Sequence, residues 1–316
     1  MSPRIAVFTK NRTNPAYEAA RLGADRAATL LGAATSHYVP EQPDDVREQI
    51  VLIERAITER PDAVVFVPVH ETAVNDAILG FDAARIPLFN FITRTTVGQR
   101  VCFVGSDDHA LAMSIARQLF SKLSGRGEIV IMEGTPASAT SRERLNGFHE
   151  ALADFPDIRL RLSLRGDYQR DVARAAFADT IDQLPSLDAV LCANDHMALG
   201  VLDVLGSVAG HREIMIVGVN AIPEAIAAIE AGRMLATANF DAMTMSSIAT
   251  EAAVRHLRGE AVPREIILRV QVVDATNYSG WNLPFDARVC PSWEEVTSLP
   301  QPTSMFGRSG RAAMQE

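Results

Sequence analysis

Short apolar runs alternate with longer stretches of helical spacing from about residue 5 to residue 273. The runs at 5–8, 36–39, 63–67, 87–91 and 101–104 read as strands. Between them, 17–31, 46–58 and 73–84 repeat apolar residues every three to four positions and read as helices. In 46–58, Val46, Ile50, Ile53 and Ile57 fall on one side, and Gly32 is a suitable cap behind 17–31. The pattern then restarts, with helices at 110–123, 143–152, 172–184, 223–231 and 243–257. Strands are predicted at 129–132, 158–164, 214–217 and 235–238, and one long strand at 266–273 closes the series. Strict alternation of this kind predicts βαβ units and parallel sheets. A weak echo between Arg60-Pro61-Asp62-Ala63-Val64-Val65 and Leu184-Pro185-Ser186-Leu187-Asp188-Ala189-Val190 is in keeping with two similar lobes.

The most informative stretch is 188–200, DAVLCANDHMALG. Ala189-Val190-Leu191-Cys192 suits a strand buried on both faces. Ala193-Asn194-Asp195 then turns polar, and Met197, Leu199, Val201, Leu202 and Leu205 continue as a helix. Open α/β sheets bind ligands at such strand exits, which makes Asn194 a candidate ligand contact.

Other predicted exits are similar. Asn14 in the loop after 5–8 either caps the next helix or meets a ligand. After 87–91, Phe91 either stacks on an apolar sugar face or packs in the core, and Arg94 either bonds ligand oxygens or is solvated. After 129–132, the small residues of Gly134–Ser141 let backbone approach a ligand. Arg144, a turn into the helix that follows, either forks to two oxygens or pairs with a neighbouring acid. Tyr168, Asn220 and Asp241 follow further exits. Polar exits split between two lobes predict one shared cleft.

Composition narrows the functional classes. The chain has 316 residues, enough for about two domains, and 47% are hydrophobic. A net charge of −9 argues against a nucleic-acid partner. Cys102 and Cys192 sit in apolar runs, no CxxC occurs, and no metal is expected. HExxH, GxSxG, GxGxxG and Gly-rich Lys-Ser/Thr loops are missing, so neither catalytic residues nor a cofactor are expected. Asp107-Asp108-His109 reads as a helix cap in preference to a metal site. No apolar stretch reaches 18 residues, and Met1-Ser2-Pro3-Arg4 leads straight into a strand without a signal peptide. The expectation is a cytoplasmic chain, or one whose export segment is missing from this form.

Asn14-Pro15, Gly105-Ser106-Asp107, Arg142-Glu143-Arg144 with Gly147-Phe148, 193–200 and Val217-Gly218 occur in the order found in a known family. From about residue 4 to residue 273 the chain resembles periplasmic sugar-binding proteins of the ribose-binding type, relatives of lac-repressor-like effector domains. The resemblance implies a type I periplasmic binding protein-like α/β fold: two doubly wound parallel-sheet lobes joined by a three-segment hinge. Residues 1–106 plus 241–268 would form one lobe and 107–240 plus 269–290 the other, with 291–316 a partly disordered tail in which Trp293 and Phe306 dock. It further implies capture of a monosaccharide or polyol by hinged closure, as a periplasmic monomer serving an ABC importer. The alternative is a sugar-sensing regulatory domain without its own DNA-binding segment. Carried over by position, Asn14, Tyr17, Arg144, Tyr168, Asn194 and Asn220 would contact ligand, with Asp241 accepting from a hydroxyl. Lys10 would pair with an acidic or keto-sugar or remain a surface lysine. Ala16, Asn220 and the stretch Ile92-Thr93-Arg94 depart from the family pattern, so ribose itself is not the expected ligand.

Overall fold

The computed structural model describes residues 2–207 and 213–298. The first half runs β1 (Arg4–Phe8), α1 (Pro15–Leu30), β2 (Ala34–Tyr38), α2 (Val46–Glu59), β3 (Ala63–Phe66), α3 (Asn75–Ala83), β4 (Leu88–Phe91), β5 (Arg100–Ser106). The second runs α4 (Asp108–Lys122), β6 (Arg126–Glu133), α5 (Ala139–Ala153), β7 (Asp157–Arg165), α6 (Arg170–Ala178), β8 (Leu187–Cys192), α7 (Asp195–Ser207), β9 (Met215–Val219), α8 (Pro223–Glu230), β10 (Ala236–Asn239). The chain closes with α9 (Ala242–Leu257), β11 (Glu265–Leu268), β12 (Gln271–Asp274) and α10 (Trp293–Thr297).

Two six-stranded sheets form. The first has the order β11-β5-β4-β3-β1-β2 and is parallel throughout. The second has the order β12-β10-β9-β8-β6-β7 and is parallel except that β12 runs antiparallel to β10. β1 and β6 each lie between the strand that follows them and the next one, which puts a topological switch point at the carboxyl end of each sheet. The central strands are buried on both faces, as their unbroken apolar runs require.

Strand order also shows where the chain changes sheets. β5 belongs to the first sheet, yet α4, capped by Asp107, packs on α5 and β10 of the second. β10 belongs to the second, yet α9 returns to α1, β3, β4 and β5. The single strand predicted at 266–273 is two: β11 joins the first sheet, β12 the second, and Arg269-Val270 crosses between them. Apolar residues persist through the break, so periodicity alone hides it.

At the carboxyl end, Ser292 caps α10, and Trp293 is buried with the Arg255 guanidinium 4.9 Å from its ring centre. Phe306 and the rest of the tail from 299 lie outside the described residues. Among the described residues, no helix is long and apolar enough to cross a membrane.

Candidate ligand-binding site

The carboxyl ends of both sheets face one cavity with about 530 Å³ of atom-free space, mouth included. Nearly every strand exit contributes: Lys10, Asn14 and Tyr17 after β1, Asp44 after β2, Val69 after β3 and Ile92 after β4. From the second sheet come Thr135, Ser138, Thr140 and Arg144 after β6, Tyr168 after β7, Asn194 after β8, Asn220 after β9 and Phe240 after β10. The lobes touch across the mouth. Thr13 donates to Gln169 at 3.1 Å, the Thr93 and Thr140 hydroxyls are 3.2 Å apart, and Arg142 meets Glu71 at 2.7 Å.

Helix caps and cavity-lining positions coincide here. The Asn14 side-chain oxygen accepts from the Ala16 N–H at 3.0 Å and starts α1, leaving its amide nitrogen for the cavity. Asn11 accepts from the Asn14 N–H at 2.9 Å and donates to Asp44 at 3.0 Å, which holds the loop in shape. Asn194 does the same for α7: its oxygen takes the Met197 N–H at 2.9 Å and its amide reaches the Tyr168 carbonyl at 3.3 Å. Behind it, Gly200 lets α7 approach α6, since a Cβ there would stand 2.3 Å from the Arg170 carbonyl oxygen. Gly218 likewise leaves room for Asp195, whose carboxylate a Cβ would meet at 2.2 Å. Much of the family-like run therefore records packing, with Asn194 as its cavity-facing member.

Charge is arranged in two couples. Arg144 is 2% exposed; its Nε donates to Asp108 at 2.8 Å and its Nη1 to the Ala193 carbonyl at 2.6 Å. Its guanidinium lies 4.5 Å from the Phe240 ring centre and 5.9 Å from that of Tyr168. Burial pushes the Asp108 carboxyl up, and the arginine pulls it back. The second couple is open. Lys10 is 5% exposed, and its ammonium has no hydrogen bond or ion pair among the described residues. Burial lowers its pKa against the pull of Asp44 and Asp108, and burial raises that of Asp44. The Tyr168 phenol, pushed up to about 12 by burial, makes no close hydrogen bond among the described residues, although Ser141 lies near it, and the buried hydroxyls of Thr135 and Ser138 make none there either. Buried polar groups are normally paired. Lys10 and these three hydroxyls line the same cavity.

The family described as the periplasmic binding protein domain matches residues 5–261. The chain belongs to this family. It is 27% identical over 240 residues to the D-allose-binding periplasmic protein of Escherichia coli K12, covering 73% of this chain and 77% of that one. It is 25% identical over 262 residues to a ribose import binding protein of Bacillus subtilis, covering 83% of each. An ABC transporter solute-binding protein of Mycobacterium smegmatis, solved with bound glycerol, superposes with a TM-score of 0.82 at 27% identity, covering 88% of this chain and 96% of that one. One from Actinobacillus succinogenes, solved with D-allose, shares the fold at a TM-score of 0.82 and 24% identity, covering 88% and 99%.

Within this periplasmic binding protein, three candidates lie away from the cavity. Phe91 is fully buried, because β4 is covered on both faces; the next residue, Ile92, takes the cavity position with a φ of 62°. That turn sends Thr93 towards Thr140 and Arg94 away, over the Phe103 ring at 3.7 Å and onto Glu265. Asp241 caps α9 with both oxygens on Thr244, at 3.0 Å to its N–H and 2.7 Å to its hydroxyl. Its neighbour Phe240 faces the cavity. Sequence reasoning overlooked Asp44, Val69 and Asp108. The strand-exit rule reaches Asp44 and Val69 once it is applied to β2 and β3. Asp108 carried only a capping or metal reading; Asp107 is the cap, and Asp108 turns inward to hold Arg144.

Proposed function

We propose that this chain reversibly captures a monosaccharide or polyol between its two lobes and presents it to an ABC importer. The observation that carries this is the ring of unpartnered polar groups, Lys10, Tyr168, Thr135 and Ser138, around a cavity shared by both sheets. The Lys10 ammonium and the Asp44 carboxylate offer a hydroxyl an acceptor's partner and a donor's partner; Asn14, Asn194, Asn220 and Arg144 supply further polar contacts. Tyr17, Tyr168 and Phe240 cover the C–H faces of the solute. Nothing in this scheme needs covalent chemistry. The lobes are 1–106 with 241–268 and 107–240 with 269–290, and they swing about the crossings near 107, 240–241 and 269–270.

Relatives named for D-allose, ribose and xylitol favour a hydroxyl-rich solute, and those named as import binding proteins favour the importer over a regulatory sensor. The family's description favours the periplasm. A thermal-shift screen over D-allose, D-ribose, xylitol, glycerol and myo-inositol tests the reading. At least one should raise the unfolding midpoint by several degrees, and Asn194→Ala should lose about 1–3 kcal/mol of affinity for it. A flat response to the whole panel removes the proposal.

A further inference from the structure

The family match stops at residue 261, but the chain continues as a strap that touches both lobes. After β12, the Tyr278 hydroxyl and the Asn282 amide reach Glu230 of α8 at 3.4 and 3.0 Å, on the second lobe. Arg26 of α1, on the first lobe, donates to the Arg288 carbonyl at 2.8 Å and to that of Asp286. α10 then seats Trp293 against Arg255 of α9, again on the first lobe. The chain thus passes between the lobes once more after the three sheet-to-sheet crossings.

Arg288 is the node of this strap. Its Nη1 donates to the Ala221 carbonyl at 2.7 Å. Its Nη2 and Nε donate to the Trp281 and Leu283 carbonyls, both at 2.9 Å. Ala221 follows Asn220, a cavity residue, and the two have φ of 52° and 125°. Residues with a Cβ adopt such angles only where the surroundings hold them. Three holds come from the second lobe: Asn220 N–H to the Ala238 carbonyl (2.8 Å), Ala221 N–H to the Thr237 hydroxyl oxygen (3.2 Å) and Ile222 N–H to Asp195 (3.0 Å). The Ala221 carbonyl is held by the strap. A second, open cavity, with about 1,030 Å³ of atom-free space when its mouth is included, lies between the strap and the starts of α1 and α9, and shares Ala16 and Asn220 with the first. Asn220 therefore stands between two spaces, and packing alone does not keep it turned to the ligand.

We propose that Arg288 is a positioning residue for ligand binding. It clamps the Ala221 carbonyl, fixes Asn220 towards the ligand cavity, and through Arg26 ties that turn to the opposite lobe. The inference rests on reading the first cavity as the ligand site.

The test uses the full chain carrying Arg288→Met, Arg288→Lys or Arg26→Met. In the unliganded protein, amide hydrogen exchange at 220–222 should be about ten-fold faster in Arg288→Met, with β8 unchanged and Arg288→Lys restoring much of the protection. With D-allose as the probe, dissociation should accelerate about ten-fold while association stays within about two-fold. Unchanged exchange at 220–222, or equal acceleration in β8, overturns the clamp. Should Arg288→Met fail to fold, Arg26→Met should still speed exchange at 220–222 by about three-fold, and no change there overturns the clamp equally. If the wild type does not bind D-allose, the choice of sugar has failed, and the exchange experiment still decides the clamp.

Discussion

Lys10 shows what binding demands of a single residue. An almost fully buried ammonium that makes no hydrogen bond costs free energy in the unliganded protein, and under the proposed function a ligand oxygen offsets that cost. Lys10→Met should therefore raise the unfolding free energy of the unliganded protein by about 1–2 kcal/mol at neutral pH. It should also weaken the best ligand about ten-fold or more, the value of a hydrogen bond to a charged group. Because burial lowers the Lys10 pKa from 10.5, the folded state sheds this proton before the unfolded state does. Wild-type stability then rises with pH in that window, and the variant's advantage should shrink as pH approaches 10.5 in chemical denaturation. Asp195 has the opposite sign. Burial pushes its carboxyl from 3.8 up to about 6, although Thr237 and the Ile222 N–H favour the charge. The folded state holds the proton longer, so this group's contribution falls as pH rises from 3.8 to about 6. Against Asp195→Asn, which cannot titrate, wild type should lose on the order of 3 kcal/mol across that interval. A constant difference between the two would refute the assignment.

Strand exits and helix starts explain most of the cavity at the scale of elements. The place of Asn14 and Asn194 on the cavity was legible because a polar residue between a buried strand and a helix has few roles, and here capping and facing the cavity are compatible. Phe91 and Asp241 were misplaced by one residue each, since a left-handed turn at Ile92 or at Asp241 decides which neighbour faces the cleft. Side-chain type carries little information about such a turn. Across the mouth, Arg142 on α5 and Glu71 in the loop after β3 form an ion pair about 70 residues apart in sequence. Both side chains are partly exposed, so the pair is worth at most about 1 kcal/mol. Glu71→Gln should speed ligand release a few-fold with little change in association, and the effect should fade near 1 M salt. Release rates equal to wild type at low salt would show that the pair does not latch the lobes.

At the scale of the molecule, cavity-lining residues come from both sheets, so a solute held there as proposed touches both sets only when the lobes are together. X-ray scattering should show a smaller radius of gyration with saturating ligand than without. Equal radii would contradict hinged closure. The strap after β12 enters here as well: it touches both lobes beside the second crossing, so Arg288→Met should widen the difference between the two scattering states. The long closing strand predicted from periodicity was in fact the third crossing, which only sheet assignment could reveal.

The alternation of buried runs and amphipathic helices determined the class of fold, because parallel strands covered on both faces leave few other arrangements for such a pattern. Polar residues placed at strand exits determined where to look for a ligand, since sheet topology gathers those exits at one end. Tertiary structure decided the rest. It chose between neighbours at left-handed turns, left the Lys10 ammonium without a hydrogen bond among the described residues, turned Asp108 onto Arg144, and brought the carboxyl-terminal strap to Ala221. Each of these depends on groups distant in sequence meeting in space, which local pattern does not encode.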